Sequence, residues 1–281
     1  MQHSSDFAVK RGGVSGVVQP VLLFLVLLGV WELTCRVFGI AEFVVPAPSD
    51  IGRQLATNGT RILWHTGITV AGAAAGFLIA NALSFGTAVF FTYAPVAERS
   101  AYPYLVALKS VPIVAVAPLI TLWMGDGFGS KVAMAALITF FPMVVNATLG
   151  LQSADRRALD LMKVLGATDR QIFLKLRIPA ALPYIASALK ISAPLAVVGA
   201  IVAEIAGASS GIGYLILVAA YKVETPLMFA CVLAAALSGL LFFGFAVNVE
   251  KWLTSHRGRR RATLTLTDKQ PQLSTIRQDL S

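Results

Sequence analysis

Six stretches of this chain, at about 17–39, 62–91, 111–125, 132–152, 184–203 and 226–249, are almost free of charge, and most approach the ~20 apolar residues that a helix needs to cross a bilayer. A single soluble core has no use for so many apolar runs. The composition agrees: 57% of the 281 residues are hydrophobic and 13% charged, with a mean hydropathy of +0.75. The expectation is an all-α, polytopic membrane protein with about six transmembrane helices. Pro103, Lys109, Pro112 and Pro118 interrupt the third run, so it either begins near residue 101 or is a kinked helix. The first run follows Lys10 and Arg11 as a signal peptide would, but VLLFLVLLGVW continues to span length with no small-residue cleavage pattern after it, which predicts a retained helix. Cys35 and Cys231 lie in or beside different apolar runs without metal-ligand spacing, which predicts packing roles.

With the N-terminus inside and six crossings, seventeen of the 23 lysines and arginines fall on the cytoplasmic side. Arg36, Arg53, Arg61, Lys131 and Lys222 fall outside, and Lys190 lies near the inner end of the fifth run, within snorkelling reach. This asymmetry predicts a multi-pass protein of the cytoplasmic (inner) membrane with both termini inside. The net charge of +9 follows from insertion and contact with anionic lipid, and requires no nucleic acid. The chain then divides into a cytoplasmic segment at 1–16, a transmembrane domain at 17–252 with a cytoplasmic loop at 153–179, and a polar, largely disordered cytoplasmic tail at 253–281.

On the outer side, Pro46 and Pro48 enforce extended backbone, and Ser49 is placed to cap a short helix over 50–56. The small residues of GAAAG, Gly72 to Gly76, permit close helix approach, within the chain or to a second copy. GDGFGSK, residues 125–131, lacks the Gly-Lys-Ser/Thr ending of a phosphate-binding loop and reads as a short outer turn. The chain is therefore not expected to be an enzyme, and any ATPase is another polypeptide. In EIAGASSGIGYLILVAAYKVETP, residues 204–226, glycines break the helix before GYLILVAAY, which is too short to cross alone. That segment reads as a partly re-entrant or surface helix at the rim of a pathway. Glu204 beside it has two readings, pathway or gate and structural hydrogen bonding, while Glu32 lies near enough to an outer helix end to reach water. Candidate pathway residues are Lys109, Ser110, Pro112, Glu204, Ser209 and Ser210.

The stretch LMKVLGATDRQIFLKLRIPAALP, residues 161–183, is charged and punctuated although apolar runs flank it. Ser153 or Asp155 is placed to start a helix through about Leu165, and Gly166 to end it in the left-handed conformation. Thr168 and Gln171 fit a capping box for a second helix to about Arg177, which Pro179 is expected to stop. Leu161, Met162, Val164, Leu165, Ile172 and Phe173 would stand exposed in a frame of Arg156, Arg157, Lys163 and Arg170, a pattern suited to docking. A DNA-binding helix-turn-helix has no room here, because spans begin within about ten residues on either side.

These residues resemble the cytoplasmic loop of permease subunits of ATP-binding cassette (ABC) importers. That pattern runs Glu-Ala-Ala, then glycine four positions after the second alanine, then Ile-x-Leu-Pro. Here the counterparts are Asp160-Leu161-Met162, Gly166 and Leu176-Arg177-Ile178-Pro179, so the spacing fits while the opening triplet keeps only its acidic character. Residues 108–132, VPAPSDI and AEIAGASSGIGYLI are similar to the nitrate, sulfonate and taurine subgroup. The resemblance implies a type I ABC importer permease fold, paired as a homodimer, with two copies of a cytoplasmic ABC ATPase and an extracytoplasmic solute-binding protein. It also implies that Arg156, Arg157, Asp160, Leu161, Met162, Lys163, Leu165, Gly166, Ala167, Thr168 and Arg170 couple to the ATPase. ATP and Mg would bind on that partner, leaving this chain without a cofactor. The implied solute is a sulfonate, taurine or nitrate, with uncharged vitamin or pyrimidine precursors also open. The alternative class is an ion-driven secondary transporter or channel, whose inverted repeats and clustered intramembrane charges are not seen in the sequence.

Overall fold

The computed structural model describes residues 15–268, with side chains described at 18–107 and 110–252. Every regular element among these residues is helical: α1 (Ser15–Val37), α2 (Pro48–Thr57), α3 (Gly59–Tyr93), α4 (Pro95–Lys109), α5 (Ile113–Met124), α6 (Phe128–Gln152), α7 (Arg156–Val164), α8 (Asp169–Ile172), α9 (Ile178–Ile205), α10 (Ile212–Tyr221) and α11 (Thr225–Asp268). Nearly all of the predicted segment 1–16 lies outside the described residues, as does the chain beyond Asp268. Helix α11 runs past the expected boundary at Trp252, to Asp268. Its RGRRRATLT stretch holds no proline, and the hydrogen-bond ladder simply continues.

Five helical stretches are long and apolar enough to cross a membrane: Val18–Val37, Gly59–Tyr93, Phe128–Gln152, Asp169–Ile205 and Thr225–Trp252. The third expected crossing is divided between α4 and α5, because residues 110–112 leave the helix ahead of Pro112, which has no N–H to donate. The two halves still run the length of α6. Glu98 in the first turn of α4 accepts from Nε2 of Gln152, the last residue of α6, at 2.8 Å. At the other end, Met124 of α5 stands beside Gly129 in the first turn of α6. The run is thus two helices broken at 110–112, neither of them among the span-length helices.

Helices α3, α6 and α9 form the centre of the bundle and meet where side chains are smallest. A Cβ on Gly76 of α3 would stand 2.5 Å from the Val132 carbonyl oxygen and 2.6 Å from Ala135 Cβ of α6. A Cβ on Gly199 of α9 would stand 2.8 Å from Ala135 Cα on the opposite flank. Three backbones thus converge on Ala135, and Ala73, Ala193, Ala196 and Ala200 fill the space around it. In lipid the apolar surface gains nothing by leaving its solvent, so such close packing holds the helices together. GAAAG is spent within the chain.

Pro179 does not stop the second loop helix. Residues 173–177 form one π-helical turn that leads directly into α9, with Pro179 in the first turn of α9. There its missing N–H breaks no bond inside α9, and the widened turn relieves the ring's clash with the preceding carbonyl. The fifth crossing consequently begins well before residue 184.

Helix α1 stands apart on the lipid side and touches the bundle through Trp31, whose ring lies 6.2 Å from Phe229 of α11. Its C-terminal end is clasped to α2. Glu32 accepts from the Ser49 N–H at 3.0 Å and the Ser49 hydroxyl at 2.8 Å, while Arg36 bridges Glu32 and Asp50. The expected Ser49 cap is therefore reversed: the N-cap position is Ala47, and the carboxylate that satisfies the helix start comes from Glu32.

Candidate functional site

The loop between α6 and α9 forms a compact, capped unit. Asp155 accepts from the Arg157 N–H at 3.0 Å and starts α7. The end of α7 is closed by a Schellman pair, Gly166 N–H to the Lys163 carbonyl at 3.0 Å and Ala167 N–H to the Met162 carbonyl at 2.9 Å. Gly166 has φ +73°, and a Cβ there would meet open space, so glycine is favoured by the backbone angle and not by crowding. Thr168 and Gln171 form the capping box of α8 in both directions, at 2.9 and 3.3 Å. Changing Thr168 to alanine is expected to cost about 1 kcal/mol, read as faster amide exchange across 168–172 with the spans unchanged.

All eleven predicted coupling residues lie on this unit, from Arg156 in the first turn of α7 to Arg170 in α8. The apolar knobs divide into two sets. Leu161, Val164 and Leu165 project, at 60%, 86% and 75% exposure. Ile172 is buried, and Phe173 is half-buried against the core cluster of Ala88, Met143, Ala147, Leu151 and Ala181, which corrects their expected exposure. Their spacing after the turn points them inward, where they root the loop on the bundle. Arg177 adds a further tie by donating to the Leu151 carbonyl at the end of α6, at 3.1 Å, beneath the Tyr93 ring.

At the opposite end of α6 and α9 sits a buried polar knot. Glu204 in the last turn of α9 and Lys131 in the first turn of α6 are 0% and 1% exposed, with Nζ 3.7 Å from Oε1. Lys131 donates to the Ser210 carbonyl at 2.7 Å and its hydroxyl at 3.1 Å. Glu204 accepts from the Gly213 N–H at 2.8 Å and from the Thr69 hydroxyl, which lies 2.8 Å from Oε1. That hydroxyl in turn accepts from the Ile212 N–H at 2.8 Å. His65 Nδ1 accepts from the Gly211 N–H at 3.1 Å, which requires that nitrogen to be unprotonated. Gly211 has φ +111°, and a Cβ on it would run into the Glu204 carboxylate. Side chains of α3 and α9 therefore cap the start of α10, and the Glu204 charge lies at the positive end of that helix.

Two of the acids that lie in or beside spans do the same work: Glu32 caps α2 and Glu204 caps α10. Ser210 belongs to the Glu204 knot, and Ser209 beside it is exposed. Ser110 and Pro112 are exposed at the break between α4 and α5, about 18 Å of helix away from the outer end. The Lys109 side chain lies outside the described residues. The structure thus separates the predicted pathway residues into two groups at different depths. Lys131 was expected on the outer surface, as part of the GDGFGSK turn. It is instead inside the bundle, because α6 already begins at Phe128. Lys190 likewise does not snorkel to water alone but pairs with Glu250 of α11 at 2.8 Å.

Residues 72–255 match the family model for the binding-protein-dependent transport system inner membrane component. The formylaminopyrimidine transport permease protein ThiX of Halalkalibacterium halodurans is 34% identical to this chain over 244 residues, 86% of this chain and 97% of the relative. The riboflavin transport system permease protein RibX of Chloroflexus aurantiacus is 33% identical over 236 residues, 83% of this chain and 88% of the relative. The putative aliphatic sulfonates transport permease protein SsuC of Bacillus subtilis is 31% identical over 250 residues, 86% and 90% of the two chains. The matched region contains the α3–α6–α9 crossing, the Gly166 loop and, from the polar knot, Lys131, Glu204 and Ser210. The likeness extends over the whole helical bundle and the loop that interrupts it, so the chain belongs to the binding-protein-dependent transport inner membrane components, the integral membrane permeases of ABC transporters.

Proposed function

We propose that this permease moves a small solute inward by alternating access, driven by a separate ABC ATPase that grips the 153–177 loop. The observation that carries the reading is the loop itself: two capped helices rooted by Ile172 and Phe173, with Leu161, Val164 and Leu165 projecting among basic side chains. Movement there is passed to α6 and α9, whose far ends are tied by Lys131 and Glu204. Two such chains, in this reading, rock about a shared pathway, with ATP and Mg held by two partner ATPases and solute delivered by an extracytoplasmic binding protein. The α4–α5 pair counts as a sixth crossing, which puts both termini and the loop in the cytoplasm, in keeping with the excess of Lys and Arg there.

The relatives' names span pyrimidine, flavin and sulfonate solutes. The described intramembrane lysines, Lys131 and Lys190, are each paired with a glutamate. That pairing leaves neither as a free counter-ion for a sulfonate or nitrate and favours an uncharged pyrimidine or vitamin precursor. The test is reconstitution of the chain with an ABC ATPase and binding protein from the same genome. ATP hydrolysis and uptake should both rise with loaded binding protein, more for a formylaminopyrimidine than for taurine. Uptake driven by an ion gradient without the ATPase would sink the reading.

A further inference from the structure

A polar cleft of about 660 Å³ opens at the loop end of the bundle, where α3 and α6 finish and α4 and α7 begin. Its volume is that of an ordinary ligand pocket. Three guanidinium groups line it, Arg99 from α4, Arg156 from α7 and Arg177 ahead of α9, with Tyr102 one turn beyond Arg99. Glu98, the carboxylate among them, accepts from Gln152. Arg177 is held by the Leu151 carbonyl and the Tyr93 ring. Arg99 and Arg156 have no hydrogen-bond or ion-pair partner among the described residues, so the cavity carries two unneutralised forks. A planar guanidinium matches a phosphate oxygen pair, and arginines on separate helices can hold one phosphate from two sides.

We propose that this cavity binds a phosphate-bearing anion, and that its occupant is the headgroup of an anionic phospholipid. The setting favours lipid over a free anion: the cavity lies beside the ends of α3 and α6, two span-length helices, and in the orientation proposed above it faces the side rich in Lys and Arg, where anionic headgroups are attracted. Val96 and Tyr104 elsewhere on α4 are 78% and 72% exposed, giving acyl chains an apolar flank beside the cavity. Because Arg156 opens α7, a bound phosphate would brace the first turn of the coupling unit. The proposal uses the inside orientation given above, but its test does not depend on it.

The permease–ATPase complex is delipidated and incorporated into symmetric nanodiscs of phosphatidylcholine with or without phosphatidylglycerol, then examined by native mass spectrometry. Phosphatidylglycerol should be retained selectively, and Arg99→Gln should weaken retention about tenfold or more. Lys222→Gln, at the opposite end, should not. Displacement of the lipid by inorganic phosphate would identify a soluble phosphate as the competing occupant and still support the anion site. Equal retention of both lipids, or retention unaffected by Arg99→Gln, would overturn the proposal. Both faces of the disc present the same lipid, so a wrong orientation and an empty cavity give different results.

Discussion

Replacing Lys131 with methionine is expected to destabilise the purified permease by about 3–5 kcal/mol, the usual cost of stranding one member of a buried ion pair. Methionine fills much of the same volume, so the loss comes from charge and hydrogen bonding rather than from a cavity. Two things fail together. The Ser210 carbonyl loses its 2.7 Å donor, and the sealed Glu204 carboxylate loses the cation 3.7 Å away. Glu204→Gln in the same background removes the stranded charge while an amide oxygen can still accept from Gly213 and Thr69. The double variant should therefore be more stable than Lys131→Met alone, with a coupling in the range of about 0.5–3 kcal/mol found for contacting residues. Denaturant unfolding in bicelles reads both quantities. If Lys131→Met unfolds like the wild type, or the double variant is the least stable of the set, the knot does not hold the outer end.

The fold was readable wherever local rules decide the outcome. Asp155, Gly166 and the Thr168–Gln171 box act through neighbours two or three residues away, and each sits in the geometry that its spacing predicts. The readings that failed depend on what lies across the bundle. Lys131 follows a glycine-rich turn, and only α9 passing beside it reveals a buried cation with an acid waiting. A signal was nonetheless present: Lys131 and Glu204 fall at the ends of two runs that meet on one side of the membrane, and a charge pair lowers the cost of each. Ser49 looked like a cap because its own side chain is suitable, whereas Glu32, seventeen residues earlier, supplies the carboxylate. Pro179 looked like a stop because prolines break α-helical ladders, and a single π turn is invisible to periodicity. In sequence Ile172 and Phe173 group with the exposed docking residues because each is an apolar residue in a charged loop, whereas Ile172 is buried and Phe173 packs on the cluster built by α3, α6 and α9.

Gly166→Val is expected to cut transport about tenfold or more while leaving the bundle intact. At φ +73° a β-branched residue is strained, at a cost of roughly 1–2 kcal/mol. A Cβ at this position meets nothing within 4 Å, so the strain comes from the backbone angle rather than from crowding of the Cβ. The chain relieves it locally by opening the Schellman pair at Lys163 and Met162. Once that pair opens, Leu161, Val164 and Leu165 no longer hold a fixed position relative to α8 and the rooted Ile172. A docking surface needs that fixed geometry, since a free energy of 1.4 kcal/mol already changes an equilibrium tenfold. Membrane insertion and melting temperature should stay close to wild type. Uptake and its stimulation of ATP hydrolysis should fall by about tenfold or more, in proportion to that strain. Asparagine tolerates the left-handed angle better than other non-glycine residues, so Gly166→Asn should retain much of the uptake although its side chain is as large. That contrast separates backbone angle from bulk: equal loss in both variants would mean that the ATPase requires a bare surface at Gly166, and wild-type uptake in Gly166→Val would remove the loop from the coupling path altogether.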